Sequence, residues 1–216
     1  MYPMIFSIGE SLRIGWKIVT THFWFFVGAM LIVVIGSSIP GAVLALARVE
    51  NEIAIIIANI LSGVIGIILE IGFLKLALSF VRTGNASYVD FYRYAKLFFK
   101  YLAVKILLAL VVIAGLILFI IPGIVWALRF QFATYLVVDR NMGPLQAMRQ
   151  SSVMTAGYKW DLLGLHIVLG IVGLLGVLAL LVGIFIAAPI ALIARTFVYD
   201  AFMRMRSKSS EFSSTL

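Results

Sequence analysis

The chain has 216 residues, 63% of them apolar and 12% charged, with a mean hydropathy of +1.15. Globular chains run at about 45–50% apolar and about 25% charged, and a soluble domain of this size has no interior able to hide the excess, so the composition excludes a soluble protein and points to a bilayer. The net charge of +8, from 17 Lys and Arg against 9 Asp and Glu, then reads as an orientation signal rather than a nucleic-acid footprint. The absence of Cys excludes disulfides, thiolate metal sites and Cys nucleophiles.

The first residues, Met1 to Phe6, carry neither a basic region nor a small-residue cleavage site, so no removable signal peptide is expected. A spanning helix needs roughly 20 apolar residues. The uncharged run 23–47 predicts span 1, with a weak point at Ser37-Ser38-Ile39-Pro40-Gly41. The run 53–81, interrupted only by Glu70 and Lys75, predicts span 2. Beyond it, Ile121-Pro122-Gly123 divides a long apolar stretch, because proline lacks a donor and disfavours helix before it. That gives spans 3 and 4 over 102–120 and 122–138. The final apolar run is too long for one crossing. Divided near Val182-Gly183, it gives spans 5 and 6 over 162–181 and 183–203, followed by a short polar tail over 207–216. Backbone polar groups must be satisfied internally in lipid. The fold class expected is therefore all-α: a polytopic membrane helical bundle of six transmembrane helices within a single domain, 1–206.

Arg13 and Lys17 precede span 1. Arg82, Arg93, Lys96, Lys100 and Lys105 fall in or beside the connection after span 2, Arg140, Arg149 and Lys159 after span 4, and Arg204, Arg206 and Lys208 in the tail. The opposite connections hold Arg48 alone, beside Glu50 and Glu52. The positive-inside rule then puts both termini in the cytoplasm.

The chain also repeats. Leu12-Arg13-Ile14-Gly15-Trp16 aligns with Met148-Arg149-Gln150-Ser151-Ser152, and Trp24 with Trp160 at the same offset; Tyr101 holds that place in a weaker middle copy. Lys75, Arg129 and Arg195 occupy comparable places in the even-numbered spans. The pattern predicts three helical hairpins in parallel orientation, each preceded by a short amphipathic interfacial segment.

The stretch Ile121-Pro122-Gly123-Ile124-Val125-Trp126-Ala127-Leu128-Arg129-Phe130, with Tyr135-Leu136-Val137-Val138-Asp139, Gly143-Pro144-Leu145-Gln146-Ala147-Met148, Ser151-Ser152 and Gly157-Tyr158-Lys159-Trp160, resembles the six-helix prokaryotic membrane proteins related to the membrane domain of glycerophosphoryl diester phosphodiesterases. The resemblance implies architecture and little chemistry. The hydrolase domain of the fused proteins is a separate barrel with no counterpart in this sequence, and phosphodiesterase activity is not carried over.

No His-Glu-x-x-His, paired-carboxylate, Gly-x-Ser-x-Gly or phosphate-loop motif occurs. His22 and His166 have no metal-ligand spacing, and Ser7, Ser11 and Ser79 lack an evident base, so neither an enzyme nor a metal or other cofactor is expected. Ionisable residues inside spans carry the functional expectation. Ala54, Ala58, Ser62, Gly66 and Glu70 recur every four residues, a small-residue stripe that invites a close helix and leads to a carboxylate. The expectation is an intramembrane polar cluster of Glu70, Lys75, Arg129 and Arg195, with Glu70 paired to Arg129 or Arg195. Arg93, Lys96, Lys100, Arg149 and Lys159 are expected to contact anionic lipid. The leading functional expectation is a non-enzymatic scaffold or accessory component, with a protein partner or a second copy of itself. The alternatives are a small transporter or channel built on the polar cluster and, behind it, a membrane-embedded enzyme.

Overall fold

The computed structural model describes residues 5–89, 93–179 and 183–214, with side chains as far as residue 207. It is 86% helical and contains no strand among the described residues. Among the described residues, six helical segments are long and apolar enough to cross a membrane: Phe23–Leu46, Glu52–Thr83, Ala95–Leu118, Ile120–Arg140, Lys159–Leu178 and Ile184–Ser207.

Helix α1 (Ile8–Thr21) is amphipathic and buries Ser11, Gly15 and Val19, four residues apart, against the last helix. Its Gly15 is required there: a Cβ would lie 2.8 Å from the Ile190 carbonyl oxygen. Helix α2 (Phe23–Leu46) runs through the expected weak point unbroken, with Pro40 inside it. Just upstream, the Ser37 and Ser38 hydroxyls donate back to the Val33 and Val34 carbonyls, at 2.7 Å each. Helix α3 (Glu52–Thr83) starts on an Asn51 cap, whose side chain accepts from the Ile53 and Ala54 amides, and ends at Gly84 with φ +73°. The α2–α3 hairpin is the first of three.

The described part of the next connection ends in a single 3-10 turn, Ala95–Leu97, that runs straight into α4 (Phe98–Leu118). Residues 90–92 of the amphipathic segment expected here lie outside the described residues. The second hairpin turns at Phe119, three residues before Pro122. Phe119 is extended, and Pro122 sits in the first turn of α5 (Ile120–Phe130), where its missing donor has no carbonyl to reach. Gly115 and Gly123 let the two helices touch backbone to backbone: a Cβ on Gly115 would lie 2.8 Å from the Gly123 Cα.

The expected single span 122–138 corresponds to one candidate crossing, Ile120–Arg140, built from two helices rather than one. After α5 the helix is interrupted by a turn at Gln131 and Phe132, and α6 (Ala133–Arg140) starts afresh. The groups freed by the break are satisfied from α7 (Pro144–Met154). Ser151 accepts from the Phe132 amide at 3.1 Å and donates to the Arg129 carbonyl at 3.0 Å, and Thr155 donates to the same carbonyl at 3.0 Å. Both hydroxyl residues are buried. An unsatisfied backbone group in a low-dielectric interior costs too much to persist, so these two side chains make the break affordable.

Helices α8 (Lys159–Leu178) and α9 (Ile184–Ser214) form the third hairpin. Val182, where the boundary between spans 5 and 6 was expected, lies outside the described residues. Helix α9 continues through most of the expected polar tail, as far as Ser214.

The protein packs tightly only toward its cation-rich end. In α3, Ile53, Ile55, Ile56, Ile57 and Ile60 are exposed while Ile71 to Phe80 form the core, and the other hairpins grade the same way. Such a gradient suits a bilayer, where lipid tails solvate exposed Ile and Leu and no hydrophobic force draws the far ends together.

Candidate functional site

Two polar assemblies sit one above the other in the packed half. The lower joins the ends of the three even-numbered crossings. Arg82 in the last turn of α3 donates from both terminal nitrogens to the Asp139 carboxylate of α6, the second at 2.9 Å, and from Nε to Asp200 of α9 at 2.8 Å. Tyr199 donates to Asp139 at 2.9 Å, Arg204 to Asp200 at 2.6 Å, and Arg140 lies 3.5 Å from Asp139. The Asp139 and Asp200 side chains are 3% and 7% exposed, so Arg82 clasps two buried carboxylates.

Beside this clasp lies a cluster of rings. Tyr199 stands 5.1 Å from Tyr135 and 5.8 Å from Phe132, and Phe132 stands 5.7 Å from Phe202. All four are buried.

Above the rings is a half-open cavity of about 190 Å³ to which every hairpin contributes. Glu70, Phe73 and Leu74 come from α3, Tyr101 from α4, Gln131 and Phe132 from the break, Thr134 and Tyr135 from α6, His166 from α8, and Leu192 and Arg195 from α9. The break puts Gln131 and Phe132 on the cavity wall, while the backbone groups it frees bond to Ser151 and Thr155 of α7. His166 Nδ1 lies 2.8 Å from the Leu162 carbonyl, which can only accept, so Nδ1 carries the hydrogen. Along α9, Arg195 lies roughly 7.5 Å above Asp200, and along α3, Glu70 lies roughly 18 Å above Arg82, at 1.5 Å per residue.

The structure brings Glu70 and Arg195 to this cavity but does not pair them. Glu70 is held by Lys105 of α4 at 2.7 Å. Lys105, counted on sequence with the connection after span 2, sits two turns inside α4, and its ammonium also lies 5.7 Å from the Tyr101 ring. The expected Glu70 partners fail for a geometric reason. Residues four apart drift by about 40° per step on a 3.6-residue helix, so between Ala54 and Glu70 the stripe turns by about 160°. Gly66 still meets Ser37 of α2, with a built Cβ 3.8 Å from the Ser37 Cβ, whereas Glu70 has rotated toward α4.

The other two expected cluster members lie apart. Lys75 sits 4.9 Å above the Tyr94 ring, and Arg129 donates to the Ser152 hydroxyl and lies 5.9 Å from the Phe130 ring. Arg93, Lys96, Lys100, Arg149 and Lys159, the expected lipid contacts, are all exposed. Lys100 also donates to Asn141 Oδ1 at 2.8 Å. Among the described residues no group of three or more His, Cys, Asp or Glu is placed to hold a metal ion.

Sequence reasoning missed the clasp and most of the cavity wall. Arg82 was read for topology alone, and Asp139 only as part of the stretch that carries the family resemblance. A usable signal was present: Leu136-Val137-Val138-Asp139 and Phe197-Val198-Tyr199-Asp200 each carry one acid at the foot of an apolar run, in a chain with only 9 acids.

No family model, curated protein or solved structure matches the chain.

Proposed function

We propose that this integral membrane protein is a small-solute transporter of the cytoplasmic membrane, with the cavity as its solute site. Both termini lie in the cytoplasm, and the ring cluster and the Arg82 clasp close the cavity on that side. One observation carries the reading: polar side chains from all three hairpins converge on a single cavity beside a broken helix, in a chain with few charges to place. Polar residues inside a membrane are costly and mark solute and ion paths, and irregular backbone at membrane depth is tolerated where it lines a cavity.

The natural absence of Cys makes the test direct. Thr134→Cys and, as a lipid-facing control, Leu110→Cys are reconstituted in phosphatidylcholine vesicles and exposed to a water-soluble cationic methanethiosulfonate reagent. The cavity position is expected to react at least tenfold faster than the control. Equal, slow reaction at both would mean that the cavity is dry and would remove the transporter reading.

A scaffold or accessory role is the second reading, favoured by α7. Its buried face, Ala147, Met148, Ser151 and Met154, leaves Leu145, Arg149 and Val153 exposed as a stripe four residues apart. That stripe suits anionic lipid or a partner helix, and stoichiometric co-purification of a protein lost on Leu145→Glu would support this role instead.

A further inference from the structure

We propose that the cavity binds a single oxyanionic group, a carboxylate or a phosphate, and that Arg195 is the residue that holds it. The inference rests on the reading of the cavity as a solute site and goes on to name the chemistry of its ligand.

The argument is one of charge compensation. Glu70 is matched by Lys105 at 2.7 Å, and next to the rings Asp139 and Asp200 are matched by Arg82, with Arg140 and Arg204 beside them. Arg195 has no such match: among the described residues it makes no hydrogen bond and no ion pair. Its charge is felt by both Tyr135 and His166, the cavity residues on either side. Arg195 is an exposed residue that lines the cavity, so the cavity wall carries one positive charge without an acidic partner among the described residues, set roughly 13 Å along α9 from Arg204 at 1.5 Å per residue. A guanidinium at membrane depth needs a counter-charge, and its planar fork of N–H donors matches carboxylate and phosphate oxygens in pairs. The anion can arrive as a small solute or as the headgroup of an anionic lipid entering from the side.

The labelling of Thr134→Cys by the cationic reagent reads occupancy. In phosphatidylcholine vesicles, acetate or inorganic phosphate at constant ionic strength, balanced with chloride, is expected to slow the reaction at least fivefold if the ligand is a small anion. If the ligand is a lipid headgroup, replacing part of the phosphatidylcholine with phosphatidylglycerol slows it instead. Either protection must vanish on Arg195→Gln and persist in weakened form on Arg195→Lys, which also shows that the altered protein still folds. Fast labelling that neither anion nor phosphatidylglycerol slows would overturn the inference while leaving a hydrated solute site. Equal protection in Arg195→Gln would overturn it as well. Absence of labelling under every condition would remove the solute site itself.

Discussion

Arg82 at the foot of α3 holds both carboxylate oxygens of Asp139, 57 residues further along the chain, and with its third nitrogen reaches Asp200 of α9. One guanidinium thus ties together the three crossings that follow the odd-numbered ones. Arg suits this place because its fork is rigid and always charged, where Lys would offer a point charge to one carboxylate at a time.

Removing that guanidinium strands two buried carboxylates. Breaking a buried pair by deleting one partner costs about 3–5 kcal/mol, and the partial exposure of Arg82 puts Arg82→Gln near the lower end, about 3 kcal/mol. Thermal unfolding of the purified protein is expected to show a large loss for Arg82→Gln, a smaller one for Arg82→Lys, and partial recovery when Asp139→Asn is added to Arg82→Gln. An unchanged midpoint for Arg82→Gln would mean that Arg140 and Arg204 already suffice for the two acids.

The Glu70–Lys105 pair makes a prediction about which residues couple. Both residues lie inside spans, where the 46% and 42% exposure of their side chains is not exposure to bulk water, so the pair is worth at least about 1 kcal/mol, the upper end for water-exposed pairs. A double-mutant cycle of Glu70→Gln with Lys105→Gln should return a coupling of that order. The corresponding cycles with Arg129→Gln and Arg195→Gln should return values near zero. Coupling to Arg195 larger than to Lys105 would mean that Glu70 turns inward and itself supplies the counter-charge in the cavity.

The break between α5 and α6 depends on Ser151 more than any other side chain, since its hydroxyl serves both Phe132 and Arg129. Ser151→Ala leaves the Phe132 amide without its partner in a fully buried place, at a cost of about 1–3 kcal/mol. Thr155→Ala should cost less, because the Arg129 carbonyl keeps Ser151. Thermal unfolding of the two single variants orders the effects, and an equal loss for both would assign the break to the backbone rather than to Ser151.

The helices were legible in the sequence because apolar run length answers directly to bilayer thickness: the edges of α2 and α3 fall within a residue or two of the apolar runs that predict them. The break at Gln131 was not legible, because it is held by Ser151 and Thr155, side chains about 20 residues away whose reach depends on how α7 folds back. The choice of Lys105 over Arg195 for Glu70 was hidden for a related reason. Spacing by four defines a face over one or two turns and loses it over four. The clasp was hidden by habit of reading: a cation near the end of a span, such as Arg82, satisfies the orientation rule so well that a second role leaves no further trace in composition.

Orientation is the prediction on which the side of the clasp depends. With Arg48 alone on the far connections, and Arg93, Lys96, Lys100, Arg140, Arg149 and Lys159 on the near ones, the cation bias is large, and it acts through short loops next to the spans. Reporter fusions after Glu50 should read periplasmic, and those after Asp90, Asn141 and Leu216 cytoplasmic. The same cations bear on lipids. Each Lys or Arg near an anionic surface contributes about 1 kcal/mol, so replacing Arg93, Lys96, Lys100, Arg149 and Lys159 by Gln should lower the anionic lipid retained through purification several-fold. Lys100 should matter least of the five, because it already donates to Asn141. Periplasmic signals at Asn141 and Leu216 would invert the protein, put the clasp on the outer side and make the hydrated cavity an inward-facing one. Unchanged lipid retention with the expected topology would limit these five cations to setting orientation.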